Sequence, residues 1–221
     1  MVFVDEMTFV MITLILVAVS VAYIVVTEMF AYRRSGPKGL GLALHETAVP
    51  MMAMGLVILL VGFWGLFTWP LPGAYNILFF DMYTLLGIIV LGFGASVALH
   101  FRLQYVGVLS LVSGFWVLAY GWRAYQLNLT STPWATFLIY IGFGVTAFIA
   151  FPVSLIADTW LSQRPENLPE PPKDKNGIPQ YPVSYLQAAI VIVFVIVILL
   201  TAVAVEGTLG NSIITHLNNP P

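Results

Sequence analysis

The chain has 221 residues, 60% of them hydrophobic and only 8% charged, with a net charge of −2 and no cysteine. An ordinary soluble domain carries ~25% charged residues, so this composition excludes one. The small net charge excludes a nucleic-acid footprint, and the missing thiols exclude disulfides, thiolate metal sites and iron–sulfur clusters.

The apolar runs predict an all-α membrane protein, a bundle of six transmembrane helices. Met7–Tyr32 comes first; it is too long for a signal-peptide core and follows Asp5 and Glu6 rather than basic residues, so it reads as a retained helix. Leu40–Phe67 follows, then the connection Thr68–Asn76, which Pro70, Pro72 and Gly73 make a fixed turn. Ile77–Phe101 and Leu103–Trp122 are joined by so short a turn that helices three and four are predicted to be antiparallel neighbours. Pro133–Leu161 is the fifth run. Ser162–Ser184 holds six prolines among charged residues and reads as an extended, semi-rigid linker to the sixth run, Tyr185–Val205. Each run has 20 or more residues, enough to cross ~30 Å of hydrocarbon at ~1.5 Å per residue. The division is a five-helix core (1–161), a proline-rich linker (162–184), and a sixth helix with a short tail (185–221).

Arg33, Arg34, Lys38, Arg102, Arg164, Lys173 and Lys175 occupy alternate connections, and only Arg123 falls on the other side. Positive charge stays cytoplasmic, so both termini are expected on the outer side and the linker in the cytoplasm. Trp64, Trp69, Trp122 and Trp134 gather at the predicted outer helix ends, as an interfacial aromatic belt does.

Counting from the inner ends places Glu28, His45, Glu46, His100 and Asp158 in one inner-leaflet layer, delivered by four helices. Ionisable groups in a membrane pair with one another or face a polar interior. His100 recurs with Gly92 and Ser96 at helical spacing and is expected to point into the bundle. Pro50 and Pro152 lie beside the layer and free backbone carbonyls there. Both breaks lie on the cytoplasmic side, which counts against an inverted-repeat transporter. Three readings of the layer stand. It is an ion-pair and hydrogen-bond layer with Arg102 and Arg34 as counter-charges; or a cofactor site, with His45 and His100 ligating haem b axially or a non-haem metal bound by histidine and carboxylate; or a proton- or ion-conducting site.

The stretch Thr68-Trp69-Pro70-Leu71-Pro72-Gly73-Ala74-Tyr75-Asn76-Ile77-Leu78-Phe79 resembles the family known as domain of unknown function 981, membrane proteins found chiefly in archaea. The likeness covers roughly Glu46–Trp160, leaving the linker and sixth helix as additions beyond it. It implies a prokaryotic, archaeal plasma membrane and carries no activity and no site residues. No nucleophile–base pair, phosphate loop or zinc motif is visible, so a free-standing enzyme is not expected. The chain reads as a small subunit of a respiratory or other redox membrane complex, structural or carrying haem b; the alternative is a proton- or ion-conducting protein. Its expected partners are the lipid bilayer and other membrane subunits, met through the sixth helix and the 162–184 linker, with no nucleic acid.

Overall fold

In hydrocarbon no water competes for backbone N–H and C=O groups, so long apolar segments satisfy them internally as helix. The computed structural model is all-helical apart from turns and one isolated bridge, and it describes residues 6–163, 172, 173, 177 and 179–218. The elements are α1 (Glu6–Thr68), α2 (Ala74–Asn76), a π-helical turn (Ile77–Asp81), α3 (Met82–Ala98), α4 (Gln104–Gln126), α5 (Pro133–Ser162) and α6 (Tyr185–Asn218). Five stretches are long and apolar enough to cross a membrane: Met7–Thr68, Ala74–Ala98, Gln104–Gln126, Pro133–Ser162 and Tyr185–Gly210. This is a multi-pass membrane protein whose apolar helices meet lipid.

The 63 residues of α1 would make a straight rod of ~95 Å, about three bilayer cores long. It is not straight. Gly36 takes φ 64°, ψ −153°, a conformation that suits glycine, and Pro37 opens the next helical arm. Val10 and Val17 of the first arm (6–35) pack in one cluster with Ile58 of the second (37–68). That contact requires the arms to fold back on one another at Gly36. The two runs foreseen in the sequence are therefore two helical arms joined at the non-helical Gly36.

Small residues decide which helices meet, because lipid supplies no hydrophobic drive for association and close backbone approach does the work. A Cβ on Gly94 would lie 2.7 Å from the Met52 nitrogen and 2.9 Å from the Ala48 carbonyl, and one on Gly87 would lie 2.7 Å from the Leu59 nitrogen. These contacts join α3 to the second arm of α1. On α4, a Cβ at Gly114 would lie 3.0 Å from the Gly144 carbonyl of α5. α3 and α4 touch, as the short turn between them predicts: a Cβ on Gly92 would lie 3.3 Å from the Val106 side chain. Even so, each packs far more against its own glycine-matched partner, α1 or α5, than against the other.

α6 ties the two groups together. Phe194, Ile198 and Ala202 pack against Ala18 and Ala22 of α1 and Ile149, Ala150 and Val153 of α5. Its opposite face, with Ile196, Leu200 and Val203, is exposed. Within the linker, an antiparallel bridge between Lys173 and Pro179 turns the chain back, the Gln180 N–H donates to the Pro172 carbonyl at 2.8 Å, and the Tyr181 N–H donates to the Arg33 carbonyl at 2.7 Å. The described linker residues are thus bonded to one another and to this chain's own hinge. Arg164, Lys175 and the linker prolines Pro165, Pro169 and Pro171 lie outside the described residues.

Candidate functional site

The inner layer foreseen in the sequence exists as a position along the bundle, at the Gly36 end, but it divides into outward and inward groups. His45, Glu46, His100 and Arg102 are exposed. On the second arm of α1 the buried face carries Leu44, Ala48 and Met51, so His45 and Glu46 occupy the opposite side. The imidazoles of His45 and His100 do come together, with ring centroids 6.4 Å apart and planes at 32°.

That His100 points into the bundle is corrected, and the cause is local. The His100 N–H donates to the Val97 carbonyl at 3.2 Å and the Phe101 N–H to the Ser96 carbonyl at 2.8 Å, the paired bonds that end a helix with a left-handed residue. His100 is that residue, with φ 57°. Helical spacing from Gly92 and Ser96 no longer governs where its side chain goes.

Asp158 turns inward and has a structural task. Its Oδ1 accepts the Leu103 N–H and its Oδ2 the Gln104 N–H, both at 2.9 Å, so a carboxylate from α5 caps the first turn of α4. No ion pair forms among the described residues, so Arg102 and Arg34 are not its counter-charges. Nor do three histidine, aspartate or glutamate side chains converge on one point among the described residues. Haem b between His45 and His100 meets an obstacle of space. The helices bearing them are in backbone contact at Gly94, within two turns of both residues, and leave no slot for a macrocycle between them. A haem on this pair would have to lie on the outer face of the bundle.

Behind this face the Gly36 end is sealed. Tyr32 stacks on Trp160 with centroids 4.4 Å apart and planes at 6°, and the Tyr181 ring lies 6.1 Å from Tyr32. The Tyr32 hydroxyl donates to Gln163 Oε1 at 2.6 Å, and the Trp160 N–H donates to Gln187 Oε1 at 3.3 Å. Leu40, Leu44 and Leu103 complete the plug. Tyr181 fills the notch left by the absent side chain of Gly36.

The opposite end is open. Where α3 and α4 part, a cavity of about 1440 Å³ lies between the α1–α3 and α4–α5 groups, with α6 as a further wall. It runs from Met7, Tyr75 and Thr130 at the mouth to Val21, Met51 and Ala150 at the floor. Among the described residues, no charged one lines it. Its polar groups are hydroxyls, and most have their protons engaged within the protein: Ser113 with the Leu109 carbonyl at 2.8 Å, Thr146 with that of Gly142 at 2.8 Å, Ser110 with that of Ala147 at 3.2 Å, and Tyr140 with that of Leu78 at 2.6 Å. Tyr83 and Thr13 bond one another at 2.5 Å. The walls therefore present lone pairs and hydrocarbon but few free donors, a lining suited to a neutral, mostly apolar molecule.

The sequence reading missed this cavity. Ser110 and Thr146 of its wall recur with glycines at the spacing of close helix packing, and Asp81 below the rim accepts a 2.8 Å bond from Tyr120 of α4. The rim is held by the distinctive outer turn. Fully buried Asn76 accepts the Leu71 N–H at 3.2 Å and donates to the Gly65 carbonyl at 3.0 Å, while the buried Phe80 ring sits against Gly65. The π-helical turn that follows presents the Leu78 carbonyl to Tyr140.

A family model described as "Protein of unknown function (DUF981)" matches residues 1–219. The match runs through the linker and α6, so these belong to the shared region rather than being additions beyond Glu46–Trp160. No curated protein and no solved structure matches the chain. The chain belongs to the DUF981 family.

Proposed function

We propose that this protein holds a neutral, largely hydrocarbon molecule, such as the acyl or isoprenoid part of a lipid, in the cavity between its two helix groups. The observation that carries this reading is a cavity of about 1440 Å³, larger than the ~300–1,000 Å³ usual for small-molecule sites, with no charged residue among the described residues of its lining. Counting the two arms of α1 separately gives six spans, and the basic residues then put both termini and the cavity mouth on the outer side, with the linker and plug in the cytoplasm. The resemblance drawn above adds a prokaryotic, archaeal plasma membrane. The test is native mass spectrometry of protein extracted in lipid nanodiscs. Wild type should retain an apolar molecule, and Ala150→Trp at the cavity floor should lose it while keeping its thermal stability. Wild type that retains nothing would overturn the reading.

A second reading is favoured by the paired, exposed imidazoles of His45 and His100 and by the unpartnered apolar face of α6. In it, the chain is a small subunit of a respiratory or other redox complex, with a neighbouring membrane subunit closing over the histidines and α6, and haem b or another metal group between them. A reduced-minus-oxidised spectrum of the native membrane complex, lost on His45→Ala and on His100→Ala, is the expected result. A featureless spectrum would leave the subunit role structural.

A further inference from the structure

Glu28 carries one feature that neither reading uses. Its Oε1 is buried without a hydrogen-bond partner, the only such side-chain atom among the described residues. The residue lies on the interior face of the first arm of α1: Val21 and Val25, seven and three positions before it, and Tyr32, four after it, all pack into the helix clusters. Val21 belongs to the cavity floor, so the carboxyl sits ~10 Å further along the helix, with Val25 between it and the cavity and Tyr32 between it and the linker.

Among the described residues, the groups around it offer no positive charge. On its own helix Arg33 and Arg34 are exposed. On the second arm of α1 the contact is the Thr47 hydroxyl, and His45 and Glu46 face away. On α5 both oxygens of Asp158 are held by the amides of α4. On α6 no ionisable residue occurs between Tyr185 and Glu206.

Thr47 decides the chemistry. Its hydroxyl donates to the Leu44 carbonyl at 2.8 Å, and while that bond is made Thr47 has only a lone pair to offer Glu28. A carboxylate only accepts, and facing a lone pair it would be left unbonded and unpaired in an apolar interior, a state that costs several kcal/mol. A carboxylic acid donates.

We propose that Glu28 is a proton-binding site, occupied in the resting protein: the acid donates to Thr47 Oγ1, which in turn donates to the Leu44 carbonyl. The bound proton bonds to the carboxyl oxygen on the Thr47 side, leaving Oε1 as the neutral carbonyl oxygen, whose want of a partner costs far less than that of an anion. This deepens the proton-conducting alternative by naming the group that would carry the proton, and its geometry stands whether or not protons cross the protein.

Infrared spectroscopy of the full-length protein in nanodiscs at neutral pH reads the site directly. We expect the C=O stretch of a protonated carboxylic acid, equivalent to one group per chain, shifted by uniform ¹³C-glutamate labelling. It should vanish in Glu28→Gln and persist in Asp158→Asn. No protonated-acid band in wild type, or a band that survives in Glu28→Gln, would overturn the proposal. The ¹³C shift in wild type assigns the band to a glutamate, and its loss in Glu28→Asp, which keeps a carboxylic acid at the site, assigns it to this residue even if the glutamine variant does not fold. Proton flux into liposomes is a separate reading. A present band without flux removes conduction and keeps the site; flux with no band removes the site.

Discussion

The two ends of this bundle use the same six helical segments and similar composition, yet one is closed and the other open. At the Gly36 end, rings fill the interior: Tyr32 lies flat on Trp160 at 4.4 Å, and Tyr181 arrives from the linker to finish the packing. At the other end the helices are held at a distance by polar ties around a rim, Asn76 to Gly65, Tyr140 to Leu78 and Tyr120 to Asp81. Packing eliminates space, whereas a few directional hydrogen bonds fix geometry without filling it. The difference shows how a membrane protein keeps a cavity from collapsing in a solvent that does not drive helices apart or together.

If that contrast is right, substitutions at the closed end should cost more than those at the rim. Trp160→Ala should have the largest effect, a loss of about 4 kcal/mol by removal of a buried ring, measured by reversible unfolding in mixed micelles. Gly94→Leu should follow at about 3 kcal/mol, because its side chain would meet the backbone of Met52 and Ala48 rather than a movable side chain. Asn76→Ala tests the rim. Losing two bonds from a fully buried amide should cost about 2 kcal/mol, and hydrogen exchange should rise in Leu71–Asn76 before any helix melts. A loss as large as that of Trp160→Ala would mean that the rim also closes by packing, and the contrast would fall. The smallest effect belongs to Thr13→Val, about 0.6 kcal/mol for the single bond to Tyr83, with the cavity ligand still retained.

Much of the scaffold was legible in the sequence because length and apolarity suffice to place helices in a membrane. Depth was legible too: counting from helix ends brought His45 and His100 to the same level, and their rings are adjacent. Which way a side chain faces was harder to read. In a soluble helix the apolar stripe marks the interior, but here Val49 and Leu42 face outward and are as apolar as the buried Leu44 and Ala48 beside them. Only small residues mark a face: Gly94 and Gly114 lie where helix backbones meet. His100 escaped that logic because it lies one step beyond the helix, in a left-handed conformation. The cavity escaped it because it arises from two helices that are consecutive in the chain and yet pack mainly against other partners, which no local pattern encodes. The distinctive motif at Thr68–Phe79 was visible as a motif; that Asn76 and Phe80 make it a rim required the fold.

The notch at Gly36 also sets an order in time. The turn lies at Gly36, but the ring that fills it belongs to Tyr181, which is 145 positions later (181 − 36). During synthesis the first hairpin must therefore wait, its hinge uncovered, until α3, α4 and α5 have entered the membrane and the linker has followed them. Closure of the hinge is then a late event that reports on the whole chain. A protein cut short before Tyr181 would contain five of its six helical segments and still lack the side chain that locks the first two together.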